Sequence, residues 1–92
     1  MGVSNMYIYC EPFMFDLHQR IYLIDDDSAI TEVATTTLDE LGIAIITMCD
    51  KYNVTEVKLR MPLDEFSEAL VETIYDTNLA LYGKNIINVE VI

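Results

Sequence analysis

The sequence predicts a mixed α+β fold with elements in the order β-β-β-α-β-α-β. Three observations carry this. The first 36 residues alternate runs rich in β-branched and aromatic residues with polar turns. Two later stretches carry apolar residues at three- and four-residue spacing, and a strand-like segment follows each of them. The spacing of the last three strands suits two right-handed crossovers onto a shared sheet. The expected architecture is one domain over residues 1–92: a mixed sheet with an antiparallel meander, a parallel part and two helices packed on it.

The elements follow in order. "NMYIYCEPFMF" is dense in Tyr, Ile and Phe and reads as the first strand, with Pro12 arguing for a sheet edge or a bulge. "DLHQ" is the turn into a second strand, "RIYLID"; "DDDS" at 25–28 is the next turn, and "AITEVATT" the third strand. The period then changes. Thr37-Leu38-Asp39-Glu40 has the form of a capping box, with Asp39 and Glu40 at the positive end of the helix dipole. Leu38, Leu41, Ile45, Met48, Cys49 and Tyr52 make one apolar face, while Ile43 and Ile46 lie off it. Asn53 suits a left-handed C-cap. In "VTEVKLR", Val54, Glu56 and Lys58 alternate with Thr55, Val57 and Leu59, as in a strand. Pro62 opens the second helix, Asp64 is its candidate N-cap and Gly83 its stop. Leu63, Phe66, Leu70, Ile74, Thr77 and Leu81 are expected to face the core. "IINVEVI" closes the chain as a strand with Ile87, Val89 and Val91 on one side.

This order resembles the first part of the ribonuclease H-like and actin-like superfamily, in which a three-strand meander precedes alternating helices and strands. The resemblance spans most of the chain and is one of topology. Nucleases of that superfamily carry a metal-binding Asp in the middle of the first strand, where this sequence reads Tyr7-Ile8-Tyr9-Cys10. A further acidic ligand is sought at the end of the fourth strand, which here reads Lys58-Leu59-Arg60. Two-metal catalysis therefore has no seat. The glycine-bearing phosphate loop of the actin-like branch is absent from "EPFMFDLHQR". The resemblance implies a fold and no functional residue.

Charge limits the partners. Five Lys+Arg face 16 Asp+Glu, for a net charge of −11. Direct binding to DNA, RNA or an anionic membrane needs a basic footprint, so a basic protein surface is the natural complement. Hydrophobic residues make up 52% of the chain, enough to fold. No apolar run reaches the roughly 18 residues of a membrane span. The N-terminus lacks the pattern of a signal peptide, and Gly2 lacks the Ser or Thr at position 6 that myristoylation requires. Cys10 and Cys49 form no metal-ligand cluster and read as small buried apolar residues of a reducing cytoplasm, with a disulfide between them left open.

Catalytic candidates are few. His18, with Asp16 nearby and Cys10 across the hairpin, makes a Cys-His-Asp set on paper, but a solvated turn histidine is the expectation. Asp25, Asp26 and Asp27 could offer oxygen ligands, yet Ala29 and Ile30 break the calcium-loop pattern, so a polar turn is expected. Tyr7, Tyr9, Tyr22, Tyr52, Tyr75 and Tyr82 suit binding surfaces and strands alike. No catalytic residue, metal site or cofactor is assigned.

The sharpest feature is a row of carboxylates. At 100° per residue, Glu65, Glu68, Glu72 and Asp76 fall within an ~80° sector and span about 16 Å. No Lys or Arg lies between Pro62 and Gly83 to offset them. Each like-charge pair four residues apart costs about 0.2–0.5 kcal/mol. The row either faces solvent, relieved by Lys58 or Arg60 from the adjoining strand, or meets a basic groove on another protein. Small, very acidic cytoplasmic proteins of this kind are similar to the phage-encoded inhibitors of host defence nucleases, the anti-restriction and anti-CRISPR proteins, in size and charge. The leading expectation is thus a non-catalytic inhibitor that binds through Glu65, Glu68, Glu72 and Asp76 and offers carboxylates in place of nucleic-acid phosphates. The alternative is a homo-oligomeric or assembly subunit with Ile43, Ile46, Val71 and Tyr75 at its interface. A divergent ribonuclease H-like enzyme is the weakest reading.

Overall fold

Alternation in the strands and three-to-four periodicity in the helices produce the expected order. In the computed structural model, which describes residues 5–92, the elements are β1 (Tyr7–Cys10), β2 (Gln19–Ile24), β3 (Ile30–Thr36), a 3-10 turn (Leu38–Glu40), α1 (Leu41–Tyr52), β4 (Glu56–Leu59), α2 (Glu65–Tyr82) and β5 (Asn88–Val91). Gly2, read against the myristoylation pattern, lies outside the described residues.

The five strands form one mixed sheet in the order β3-β2-β1-β4-β5. β1–β2 and β2–β3 pair antiparallel, whereas β1–β4 and β4–β5 pair parallel. Both crossovers, β3-α1-β4 and β4-α2-β5, advance in the same direction across the sheet. Right-handed connections therefore put both helices on one face. Ile8, Cys10, Ile21, Val57 and Leu59 point to that face and join Leu41, Ile45, Ile46, Cys49, Leu70 and Ile74 in the core. By the strand period of two, Tyr7, Tyr9, Tyr22 and Lys58 share the opposite face, which no helix among the described residues covers and where all four are half-buried.

The helix ends are set by local chemistry. Asn53 takes the left-handed C-cap conformation of α1 (φ 54°, ψ 49°), and Gly83 does the same for α2 (φ 71°). At Asp64 a capping box forms: its side chain accepts from the Ser67 N–H and its own N–H donates to Ser67 Oγ, each at 2.9 Å. The box expected at Thr37 does not form. The Glu40 N–H instead donates to the Thr37 carbonyl (3.2 Å), closing the 3-10 turn, and no side chain caps either it or α1.

Other differences have physical reasons. Pro12 lies beyond the end of β1, and β1 is central rather than at an edge. The chain has left the ladder before the missing N–H of proline could matter. Ile46, expected off the core face, is only 1% exposed and belongs to the core, because α1 packs against both the sheet and α2. Leu63 stands 80% exposed. It precedes the N-cap, and the residue at which a hydrophobic staple would meet it is Glu68, so nothing draws it inward. Leu81 is exposed as well. The 18 residues of α2 reach about 27 Å, whereas the four-residue strands beneath extend about 13 Å, so the C-terminal turns overhang the sheet. Asn78 is the buried residue there, its amide donating to the Lys84 carbonyl and Asn85 Oδ1, both at 3.0 Å.

Candidate functional site

The residues of α2 that turn inward are Ser67, Leu70, Ile74 and Asn78. The centre of that stripe lies ~160° around the helix from the centre of the carboxylate row. Glu65, Glu68, Glu72 and Asp76 are accordingly all exposed. Glu65 and Glu68 occupy the first turn, where the dipole favours them, while Glu72 and Asp76 lie beyond its reach.

Among the described residues no Lys or Arg forms an ion pair with the row. Among the described residues the one ion pair joins Arg20 Nε to Glu32 Oε1 at 3.4 Å, on β2 and β3. Lys58, the expected neutraliser, points to the opposite face of the sheet, with Nζ 4.4 Å from the Tyr7 ring centroid. Arg60 lies beside the Tyr9 hydroxyl. Lys51 stands over the Tyr52 ring on α1, 5.4 Å from its centroid. The alternative of a row balanced by Lys58 or Arg60 thus loses its cations.

Beside the row, α2 and β5 enclose a groove of about 550 Å³. Val71, Val89 and Val91 line it, with Leu63 at one end and Glu68 and Glu72 at its margin. The row therefore borders an apolar surface, which a helix-only view of the sequence did not bring out.

A second apolar surface was hidden across the end of the segment read as strand and the start of the turn after it. Residues 13–17 form a loop between β1 and β2 that exposes Phe13, Met14, Phe15 and Leu17, the last two 79% and 83% exposed. Buried Gln19 pins its backbone: the side-chain amide donates to the carbonyls of Phe13 (2.8 Å) and Asp16 (3.0 Å), and Oε1 accepts from the Phe13 N–H (3.0 Å). Phe13 and Phe15 stack edge to face at 5.5 Å. The Arg60 N–H donates to the Cys10 carbonyl and the Met61 N–H to the Ile92 carbonyl, which aligns the ends of β1, β4 and β5. The apolar loop, Leu63 and the start of α2 consequently gather at one end of the sheet. "FMFDL" lacks strand alternation, and that was the available sign.

The remaining candidates separate. Cys10 is buried in the core with its thiol pushed up to about 12, mainly by burial and further by Glu11. It offers no thiolate to His18, which is exposed on the loop. Cys49 is likewise buried, its thiol pushed up to about 12 by burial, and both cysteines are free. Asp25 serves its own turn, Oδ1 accepting from the N–H groups of Asp27 and Ala29 at 2.9 Å, and Asp26 accepts from the Asn5 N–H. Among the described residues no cluster of three or more His, Cys, Asp or Glu side chains is arranged to hold a metal ion. Of the expected interface set, Ile43 is 50% exposed, Ile46 lies in the core and Val71 is half-buried in the groove. The Tyr75 hydroxyl accepts from the Val89 N–H at 2.8 Å.

No protein-family model matches the chain, and no curated protein is found as a relative. Among the described residues no helix is long and apolar enough to cross a membrane. The candidate site comprises four outward carboxylates, an apolar groove at their flank and a braced apolar loop at the same end of the sheet as the row's first residue.

Proposed function

We propose that this chain is a small, acidic, non-catalytic binding protein of the cytoplasm that inhibits by contact. It offers carboxylates to a basic groove in which a nucleic-acid-handling protein holds phosphates. The observation that carries the reading is the exposed row Glu65, Glu68, Glu72 and Asp76, with which no Lys or Arg of the described chain pairs. The Cβ atoms of neighbouring residues in the row sit about 5–6 Å apart, comparable with successive phosphates of a strand. A net charge of −11 adds long-range attraction for a basic partner. Phage-encoded anti-restriction and anti-CRISPR inhibitors are the kind of protein this proposal describes, and buried free thiols suit a reducing compartment. The test is a pulldown from lysate, washed across a salt series and read by mass spectrometry. Salt-sensitive recovery of nucleic-acid-binding proteins is expected, and its loss with Glu68→Lys/Glu72→Lys. Recovery that ignores both salt and the reversal contradicts the proposal.

A second reading, a homodimer, has its own support. Strands with parallel neighbours are ordinarily covered on both faces. Here the face bearing Tyr7, Tyr9 and Tyr22 has no helix over it among the described residues, and Ile43 is half exposed on α1. Sedimentation at micromolar concentration in about 0.15 M salt, where the Debye length is roughly 8 Å, tests it. A monomer under those conditions removes this reading.

A further inference from the structure

The two edges of the sheet are unequally protected. β3 carries a bulge, since Ile21 pairs with Ala34 but Tyr22 with Glu32, and the Arg20–Glu32 ion pair lies on it. Such devices discourage an added strand. β5, read Asn88-Val89-Glu90-Val91, has no Lys, no Pro and no bulge. Its inward groups are identified by their bonds to β4: the N–H of Asn88 donates to the Thr55 carbonyl and that of Ile92 to the Leu59 carbonyl. By alternation, Val89 and Val91 turn their N–H and C=O groups outward. The Tyr75 hydroxyl caps the Val89 N–H, and Val91 presents its pair at the rim of the groove.

We propose that the groove between α2 and the β5 edge is a strand-addition site, taking an extended segment of a basic partner in which apolar residues alternate with Lys or Arg. Charge complementarity selects this occupant. Side chains of the incoming strand that point toward the helices meet Val71, Val89 and Val91. Those that point the other way run beside Glu90, while Glu68 and Glu72 at the margin of the groove add longer-range attraction for the basic segment. Main-chain pairing to Val91 supplies affinity and the apolar pocket supplies register, which is the division of labour in strand addition. The inference rests on the acidic-row reading and specifies how the partner is held: the row attracts, and the edge strand docks.

The test uses the full chain, isotopically labelled, and short synthetic peptides. A peptide alternating Val and Lys is titrated while amide shifts and amide exchange are followed. Binding is expected with shift changes at Val71, Val89 and Val91 and with slowed exchange of the Val91 amide. N-methylation of the peptide amides that face β5 should weaken binding roughly tenfold. A peptide alternating Val and Glu, or Ser and Lys, should bind more weakly still. If the Val-Lys and Ser-Lys peptides bind alike, N-methylation changes nothing and Val91 exchange is unaltered, strand addition is overturned while charge recognition by the row stands. If the Val-Lys peptide fails to bind while the pulldown remains salt-sensitive, strand addition is overturned again, without loss of the acidic-row reading.

Discussion

Two thiols and one amide show how single residues are committed to the core. Cys10 and Cys49 have their thiols raised from 9.0 to about 12, in both cases mainly by burial. The unfolded chain ionises them first. The stability they contribute is full below about pH 9 and is lost as pH rises toward 12. Alkylation at about pH 8 should be slow in the native protein and rapid in urea; equal rates would show that the thiols are accessible. Asn78 donates two hydrogen bonds to the turn after α2, while its buried Oδ1 has no partner among the described residues. Asn78→Ala should cost about 1–2 kcal/mol, the loss of the bonds being offset by removal of an unsatisfied acceptor; urea unfolding measures it. Asp64, Asn53 and Gly83 were legible in the sequence because caps depend on residues within four positions. Gln19 was not, because nothing next to it reveals that its amide closes a loop starting six residues earlier.

Among the elements, α1 and α2 meet at Gly42. A Cβ there would lie 3.2 Å from Thr73 Cγ2 and 3.6 Å from Thr77 Oγ1. Gly42→Ala gains helix propensity against a tight contact and should leave stability within about 0.5 kcal/mol. Gly42→Leu forces the helices apart and should cost roughly 1–3 kcal/mol, read in the same urea titration. On the outer face of α2, Glu72 sits four residues from both Glu68 and Asp76. Glu72→Lys converts two repulsive pairs into attractive ones and should raise stability by about 0.8–2 kcal/mol at low salt. A destabilised variant would mean that Glu72 pairs with a cation within the chain. Periodicity placed both helices correctly, yet it put Leu63 and Leu81 in the core. The heptad pattern cannot tell that α2 is longer than the strands it covers, nor that its first leucine stands outside the cap.

At the level of the whole molecule, the order of elements and the mixed sheet were legible, since each strand announces itself locally and crossover handedness does the rest. The strand order was not. Which strand lies at an edge depends on pairings between distant segments, so the groove at β5 and the shared face of Tyr7, Tyr9 and Tyr22 emerge only once the sheet is assembled. The carboxylate row, a property of one helix, was visible from the start. What the assembled fold adds is the position of the cations, with Lys58 turned to the far face and Arg60 beside Tyr9. This unneutralised row is proposed to attract a basic partner. The most direct measurement is the association rate of the wild type and of Glu68→Lys/Glu72→Lys with a partner recovered in the pulldown, at low salt and at about 0.15 M salt. A slower association is expected for the variant, with the difference largest at low salt and shrinking as salt rises. Equal association rates for the two proteins at both salt concentrations would contradict it.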